Sequence, residues 1–320
     1  MTAQDFIVDK LQALKEPLDL PEFSGGGLED EIVRLILSKK FRKYAVSEEE
    51  RAKINNDVHS RVANNESIQI KYVFGGYKLW RLDETPEVDF AELFFLIYCV
   101  KWLKPVCGIY PAGVEFELVL DDVIVPIMNN IPPEDLIKYR ESLQKLIDFI
   151  SQFTPKNLQI SFKRVGDLYG THDEFLEDLE KSLAETEMPK KLTAEQIATI
   201  ELNVCTSRNQ KEDAFWREEI QHIHDAYMGI SRRRPYYRRD GVFDALASRP
   251  PMGRLIIGTT KTSIMKFWVG VGALKPKGDS FDMAILSSNQ LANADFNFES
   301  VSIDGLSGKN FSKIRVMIDA

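Results

Sequence analysis

The 320-residue chain is poor in several things that would have named its class at once. It has three cysteines, Cys99, Cys107 and Cys205, and no CxxC pair. Cysteines so far apart, two of them in apolar surroundings, read as free thiols in a reducing compartment, not as a disulfide framework or a nucleophile. There are four histidines, and only His222 and His224, next to Asp225, lie close together. That segment reads as helix, where residues two apart diverge by about 200°, so a metal pair is not expected. Long apolar runs are missing: Leu93 to Val100, between Glu92 and Lys101, is too short to span a bilayer. The N-terminus lacks a basic stretch followed by an apolar one, so no secretion signal is expected and the protein reads as cytoplasmic. No Gly-x-Ser-x-Gly elbow occurs. Gly25-Gly26-Gly27 lacks the P-loop lysine and is followed by Glu29, Asp30 and Glu31, which repel phosphate. Basic residues are outnumbered 41 to 49, giving a net charge of -8, which weighs against a nucleic-acid binder. Internal repeats and low-complexity segments are absent.

What remains is ordinary globular composition, 44% hydrophobic and 28% charged. Leu28 to Tyr44 has helical spacing, and Ser47-Glu-Glu-Glu50 resembles a capping box ahead of a helix to about Asn65. Ile68 to Phe74 alternates like a strand. A helix capped by Asp89 should run to about Leu103, and its almost wholly apolar sequence makes it central. Val114 to Leu120 is a strand ending in Asp121-Asp122. A helix follows Pro132-Pro133, with Leu136, Tyr139, Leu143, Leu146, Ile147 and Ile150 on one face. Leu158, Ile160 and Phe162 mark another strand, ending in Lys163-Arg164-Val165-Gly166-Asp167, and a helix from about Asp173 to Glu185 comes next. Strand and helix alternating at this spacing predict an α/β, Rossmann-like, partly parallel sheet with helices on both faces. Lys190 to Ile230 reads as two helices, and strands dominate beyond Arg254 (Leu255–Gly258, Ile264–Val271, Met283–Leu286, Ile314–Ile318). The predicted organisation is a mostly helical segment 1–105, then an α/β unit 106–320 with antiparallel C-terminal strands, the whole forming one continuous compact unit.

Ligands of such sheets bind beyond the carboxyl ends of the strands. Both strand ends here carry polar clusters, Asp121/Asp122 and Arg164/Asp167. The strongest electrostatic feature is Arg232-Arg-Arg-Pro-Tyr-Tyr-Arg-Arg239. Arginine forks suit phosphate or carboxylate, and the tyrosines suit stacking; the competing reading is a helix-terminal patch paired with acidic helices. Gly258-Thr259-Thr260-Lys261 offers hydroxyls, a lysine and backbone N–H groups to an anion, or is a plain hairpin loop. Lys71 and Lys78 either reach a substrate or are solvated, and Trp268 reads as core.

The order of these pieces resembles the isocyanide (isonitrile) synthases, a group that includes amino-acid isonitrile enzymes and fungal dityrosine-wall proteins. The likeness rests on Tyr110-Pro-Ala-Gly-Val114 leading into the strand that ends Asp121-Asp122, and on Asn130-Ile-Pro-Pro-Glu-Asp135. It continues through Tyr139, the helix Leu143 to Ile150 and the strand ending Arg164-Val-Gly-Asp-Leu168, with an arginine-rich stretch and a strand at Gly253 to Leu274 in similar order. It covers residues 105 to 275; the strand Leu255-Ile-Ile-Gly258 lacks a histidine the family would carry. The resemblance implies a Rossmann-like enzyme without a metal or other cofactor, which joins the nitrogen of an L-amino acid to a carbon taken from ribulose 5-phosphate. It implies acid/base or ammonium-binding roles for Asp122 and Asp167, with Lys261 beside them among the catalytic candidates. Arg164, Arg208, Arg232, Arg233, Arg238, Thr259 and Thr260 are the candidates for substrate and phosphate. The expected partners are small molecules, an amino acid and a phosphosugar, and neither membrane nor nucleic acid; homo-oligomerisation stays open. Two other readings stand beside it: a regulatory α/β protein whose arginine run holds an anionic partner, and an unrelated phosphosugar or nucleotide enzyme on a similar sheet.

Overall fold

A computed structural model describes residues 1–17, 25–41, 46–74, 86–204, 215–233, 272–285, 296–303 and 313–319. The N-terminal helices are α1 (Ala3–Gln12), α2 (Leu28–Ile36) and α3 (Glu48–Ala63). Strand β1 (Ile68–Phe74) is followed by α4 (Phe90–Ile109), β2 (Val114–Leu120), α5 (Ile124–Asn129), α6 (Pro133–Ile150) and β3 (Leu158–Arg164). Then come α7 (Val165–Tyr169), α8 (His172–Glu185), α9 (Ala194–Asn203) and α10 (Trp216–Arg233). Four strands close the described chain: β4 (Gly272–Lys277), β5 (Ser280–Ile285), β6 (Phe296–Ser302) and β7 (Lys313–Asp319).

The first three strands form a parallel sheet in the order β1-β2-β3, each position of β2 facing one residue of each neighbour from Val114 to Leu120. Parallel pairing requires a crossover between strands, and α4 and α6 supply the crossovers. Alternation sends Ile68, Ile70 and Tyr72, then Phe116, Leu118 and Leu120, then Leu158, Ile160 and Phe162, into one apolar layer with α4 and α6. On the other face Val119 packs with Val123, Val165, Tyr169, Phe175, Leu179, Ala226 and Ile230. Helices therefore lie on both faces of the sheet. The chain is α/β, with β1 and α4 sharing the layer of residues 114–164.

Toward its amino end that second face is polar. Gln69 Nε2 and Ser67 Oγ donate to Glu115 (3.2 and 2.6 Å), and Lys163 Nζ lies 3.0 Å from Glu117 Oε2. Lys71 is buried there, its Nζ 4.0 Å from Glu117 Oε1.

Helix α4 is buried along most of its length and stands between two sheets. On one side are β2 and β3, on the other β4 and β7 of a second sheet ordered β5-β4-β7-β6. Pairs β4/β5 and β6/β7 are antiparallel, and β4 is bridged in parallel to β7 at Leu274 and Ile318. Gly272 makes the contact close: a Cβ there would lie 3.0 Å from that of Ala91. Helix α4 continues to Ile109, past the expected end near Leu103, although it contains Pro105. The carbonyl that Pro105 leaves unpaired belongs to Lys101, an exposed residue, while burial of Val106 and Cys107 holds the last turn. Helix α2 ends at Ile36, short of the expected Tyr44. The short helices α5 and α7 were not expected; Val165-Gly166-Asp167, read from sequence as the end of a strand, opens α7. The strands expected at Leu255–Gly258 and Ile264–Val271 lie outside the described residues.

Candidate active site

The carboxyl ends of β2 and β3 bring together groups drawn from both strands and from the helices packed around them. β2 delivers Asp121 and Asp122. Asp121 Oδ1 accepts from the Ile124 N–H (3.1 Å), which starts α5, and its Oδ2 accepts from Tyr227 Oη of α10 (3.0 Å). Burial pushes the Asp121 carboxyl up to about 6, against these hydrogen bonds and helped by the neighbouring Asp122. A carboxyl in that range changes charge close to neutral pH.

The Asp122 side chain is fully buried. Its Oδ2 receives Arg140 Nη1 of α6 at 2.8 Å and Arg164 Nε of β3 at 2.5 Å. Its Oδ1 is buried without a hydrogen-bond partner. Two guanidinium groups on one carboxylate leave local positive charge, and both arginines remain partly exposed, 25% and 29%. Each spends one N–H on Asp122, so the rest of each fork is available to an anion.

Asp167 has a local role. Its Oδ2 accepts from the Arg164 backbone N–H (3.2 Å), closing the start of α7. His172 opens α8 one residue after its cap, Thr171. It stands within electrostatic reach of Arg164, Asp122, Asp167 and Asp173, and its Nδ1 is buried without a partner. Desolvation first, and Arg164 next, lower its pKa.

Of the residues expected at a site, Asp122, Arg164 and Asp167 therefore meet at one edge. Helix α10 passes this edge at Tyr227 and Ile230 and runs on to Arg232 and Arg233, a rise of about 9 Å beyond Tyr227. The side chains of Arg232 and Arg233 lie outside the described residues, as do Arg208, Arg238, Thr259, Thr260 and Lys261, together with Lys78 and Trp268.

Three participants were not singled out from sequence. Arg140 lies about two turns into α6, the crossover helix between β2 and β3, and the first turns of a crossover helix sit beside the strand ends. Tyr227 belongs to a helix whose register against the sheet has no local sequence signal. His172 sits in Thr171-His-Asp-Glu174, a capping box that fixes it at a helix start.

The paired histidines go elsewhere, as helical geometry requires. His222 Nε2 lies 2.8 and 3.1 Å from the carbonyls of Thr186 and Leu183 at the end of α8. His224 Nδ1 lies 3.3 Å from Asp225 Oδ1. Among the described residues no group of three His, Cys, Asp or Glu side chains is placed to hold a metal ion. Among them, too, no helix is long and apolar enough to cross a membrane. Cys99 and Cys107 are buried free thiols, and burial pushes Cys107 up to about 12; Cys205 lies outside the described residues.

No protein-family model matches the sequence, and no curated protein matches it. Among solved structures the chain is similar to the PvcA protein from Pseudomonas aeruginosa. The TM-score is 0.51 at 13% identity, covering 92% of this chain and 100% of PvcA. At this identity the likeness is one of fold, and it extends over nearly the whole chain.

Proposed function

We propose that the protein is a biosynthetic enzyme of the isocyanide synthase type, which converts the amine of an L-amino acid to an isonitrile with ribulose 5-phosphate as carbon donor. One observation carries the reading. At the carboxyl edge of the parallel sheet, a carboxyl pushed up to about 6 adjoins a buried carboxylate held by two arginines. The chemistry calls for both kinds of group. Condensing an amine with a ketone needs the free amine, and later steps remove protons, work suited to a carboxyl that titrates near 6. Asp121 is the general base in this reading, and its neighbour Asp122 aims Arg140 and Arg164. Both substrates carry anionic groups, a carboxylate and a phosphate, and the unspent guanidinium N–H groups suit either.

Arg232 and Arg233, the last two residues of α10, are further candidates for an anionic group of the substrate. Arg208, Arg238, Thr259, Thr260 and Lys261 are the remaining candidates for the phosphate, and Asp167 holds the turn that presents Arg164. The likeness to PvcA supports the reading, because it is the kind of fold that the isocyanide synthase resemblance implies. The reaction as proposed uses the cytoplasmic pool of amino acid and phosphosugar and needs no metal.

The test is mass spectrometry of purified protein incubated with a mixture of L-amino acids and ribulose 5-phosphate. The expected product keeps the amino-acid skeleton, gains one carbon on nitrogen and loses both amine hydrogens. No product, beside an active control enzyme in the same mixture, rejects the reading. Ligand-dependent thermal shifts with phosphosugars, nucleotides and nucleic acids would then separate an unrelated enzyme from an anion-binding regulator.

A further inference from the structure

We propose that His172 is a hydrogen-bond donor of this site, acting through Nε2 on a carbonyl or oxyanion oxygen of the bound substrate. The inference rests on the reading above for the identity of that oxygen, but its structural argument is separate. It begins at Gly166. A Cβ on Gly166 would stand 2.9 Å from His172 Nδ1 and 2.6 Å from its Cα. The Nδ1 edge of the ring is thus packed on the Gly166 backbone, and Nδ1 is buried with nothing to bond. A buried N–H without an acceptor is costly, more so than a buried lone pair in this setting, so the neutral ring keeps its single proton on Nε2. The residue as a whole is only half-buried, and with Nδ1 sealed, Nε2 is the ring nitrogen left for a ligand.

The same geometry keeps the ring neutral. An imidazolium would need a second proton on the sealed nitrogen. It would also sit at the first residue of α8, where the helix dipole disfavours a cation, and beside the Arg164 guanidinium. Asp122 and Asp167 from the strand ends and Asp173 from α8 pull the other way, and the balance still lies toward the neutral form. A neutral imidazole can polarise a carbonyl without giving up a full proton. Asp121 then removes protons, and His172 steadies the oxygen on which negative charge develops. No bond to hydrogen is broken at His172.

Two measurements test this, and only one depends on turnover. Imidazole ¹⁵N NMR should show His172 neutral at pH 7, protonated on Nε2, with its Nε2 resonance moved by ribulose 5-phosphate or by inorganic phosphate. An imidazolium or an Nδ1–H tautomer at pH 7 overturns the proposal, and so does an Nε2 resonance silent to both ligands. Where isonitrile is formed, His172→Gln keeps a donor that does not titrate and should stay within about 10-fold of the parent. His172→Phe should lose on the order of 10²-fold in kcat. Equal loss in both variants, with folds intact, overturns the donor role. If no isonitrile forms at all, the functional reading fails while the tautomer and ligand response still decide the role of His172.

Discussion

At the amino end of the three-stranded sheet each strand start is tied to its neighbour, whereas at the carboxyl end polar atoms are left over. The Ile68 N–H donates to the Gly113 carbonyl and the Val114 N–H to that of Asn157, both at 2.9 Å. Asn157 Nδ2 reaches back to the carbonyls of Cys107 and Tyr110, and Tyr110 Oη donates to the Glu66 carbonyl at 2.6 Å. Among the described residues three buried side-chain atoms lack a hydrogen-bond partner. Two of them, Asp122 Oδ1 and His172 Nδ1, belong to the carboxyl end, and the third, Glu117 Oε1, lies midway along β2. Buried polar atoms are normally satisfied, so their pairing at one end marks it as structural. At the other end the arginines that hold Asp122 stay partly exposed, with N–H groups left for a ligand. Substitutions at the two ends should then separate stability from activity.

The largest effect is expected at the amino end. Gly113 has φ +73°, and a Cβ there would stand 1.9 Å from the Asn157 carbonyl oxygen that bonds Val114. Gly113→Ala cannot relieve this by a rotamer change, and the backbone conformation itself disfavours a side chain. A loss of at least about 3 kcal/mol is expected, seen as poor soluble yield and a lowered Tm. An unchanged Tm would mean that the joint between β2 and β3 is not a fixed point of the fold.

Next comes Asp122→Ala, which removes the one carboxylate between Arg140 and Arg164. Breaking a buried pair from one side costs roughly 3–5 kcal/mol, and the low end applies because both arginines reach water. Activity should fall to background even where the variant folds. A variant with full activity and lowered stability would return Asp122 to a purely structural role and erase the contrast between the two ends.

The sheet was legible because each of its strands alternates and each crossover helix announces its start. Asp89 caps α4 and Pro133 opens α6, each a local signal that needs no tertiary knowledge. The polar strand ends likewise pointed to the edge where Asp122, Arg164 and Asp167 meet. What stayed hidden depended on packing between distant residues. Arg140 and Asp122 are 18 residues apart, and Tyr227 and Asp121 are 106 apart. Asp121 and Asp122 look alike in sequence, yet one is pushed toward neutrality and the other is buried between two cations. Only the arrival of α6, β3 and α10 distinguishes them. Short helices such as α5 and α7 were missed because five or six residues carry too little periodicity to be recognised.

The smallest effect is also the most discriminating, because its sign differs between stability and activity. Asp121 holds its proton up to about pH 6 in the folded protein, against an ordinary value of 3.8. Between those values the folded state binds more protons than the unfolded one. Stability therefore falls as pH rises from about 4 to about 6 and stays at the lower level above that. Asp121→Asn removes the charge responsible. Its amide oxygen can still accept from Ile124, while the Tyr227 bond has to reverse, which offsets about 1 kcal/mol of the gain. The variant should be about 1–2 kcal/mol more stable than the parent at pH 7.5 by denaturant unfolding, with the gap closing near pH 4. Turnover should drop by on the order of 10²-fold, the usual cost of losing a general base. A variant less stable than the parent at pH 7.5 would show that the ionised Asp121 is well accommodated. The carboxyl end would then be as fully satisfied as the amino end, and the case for Asp121 as a base poised by its burial would be lost.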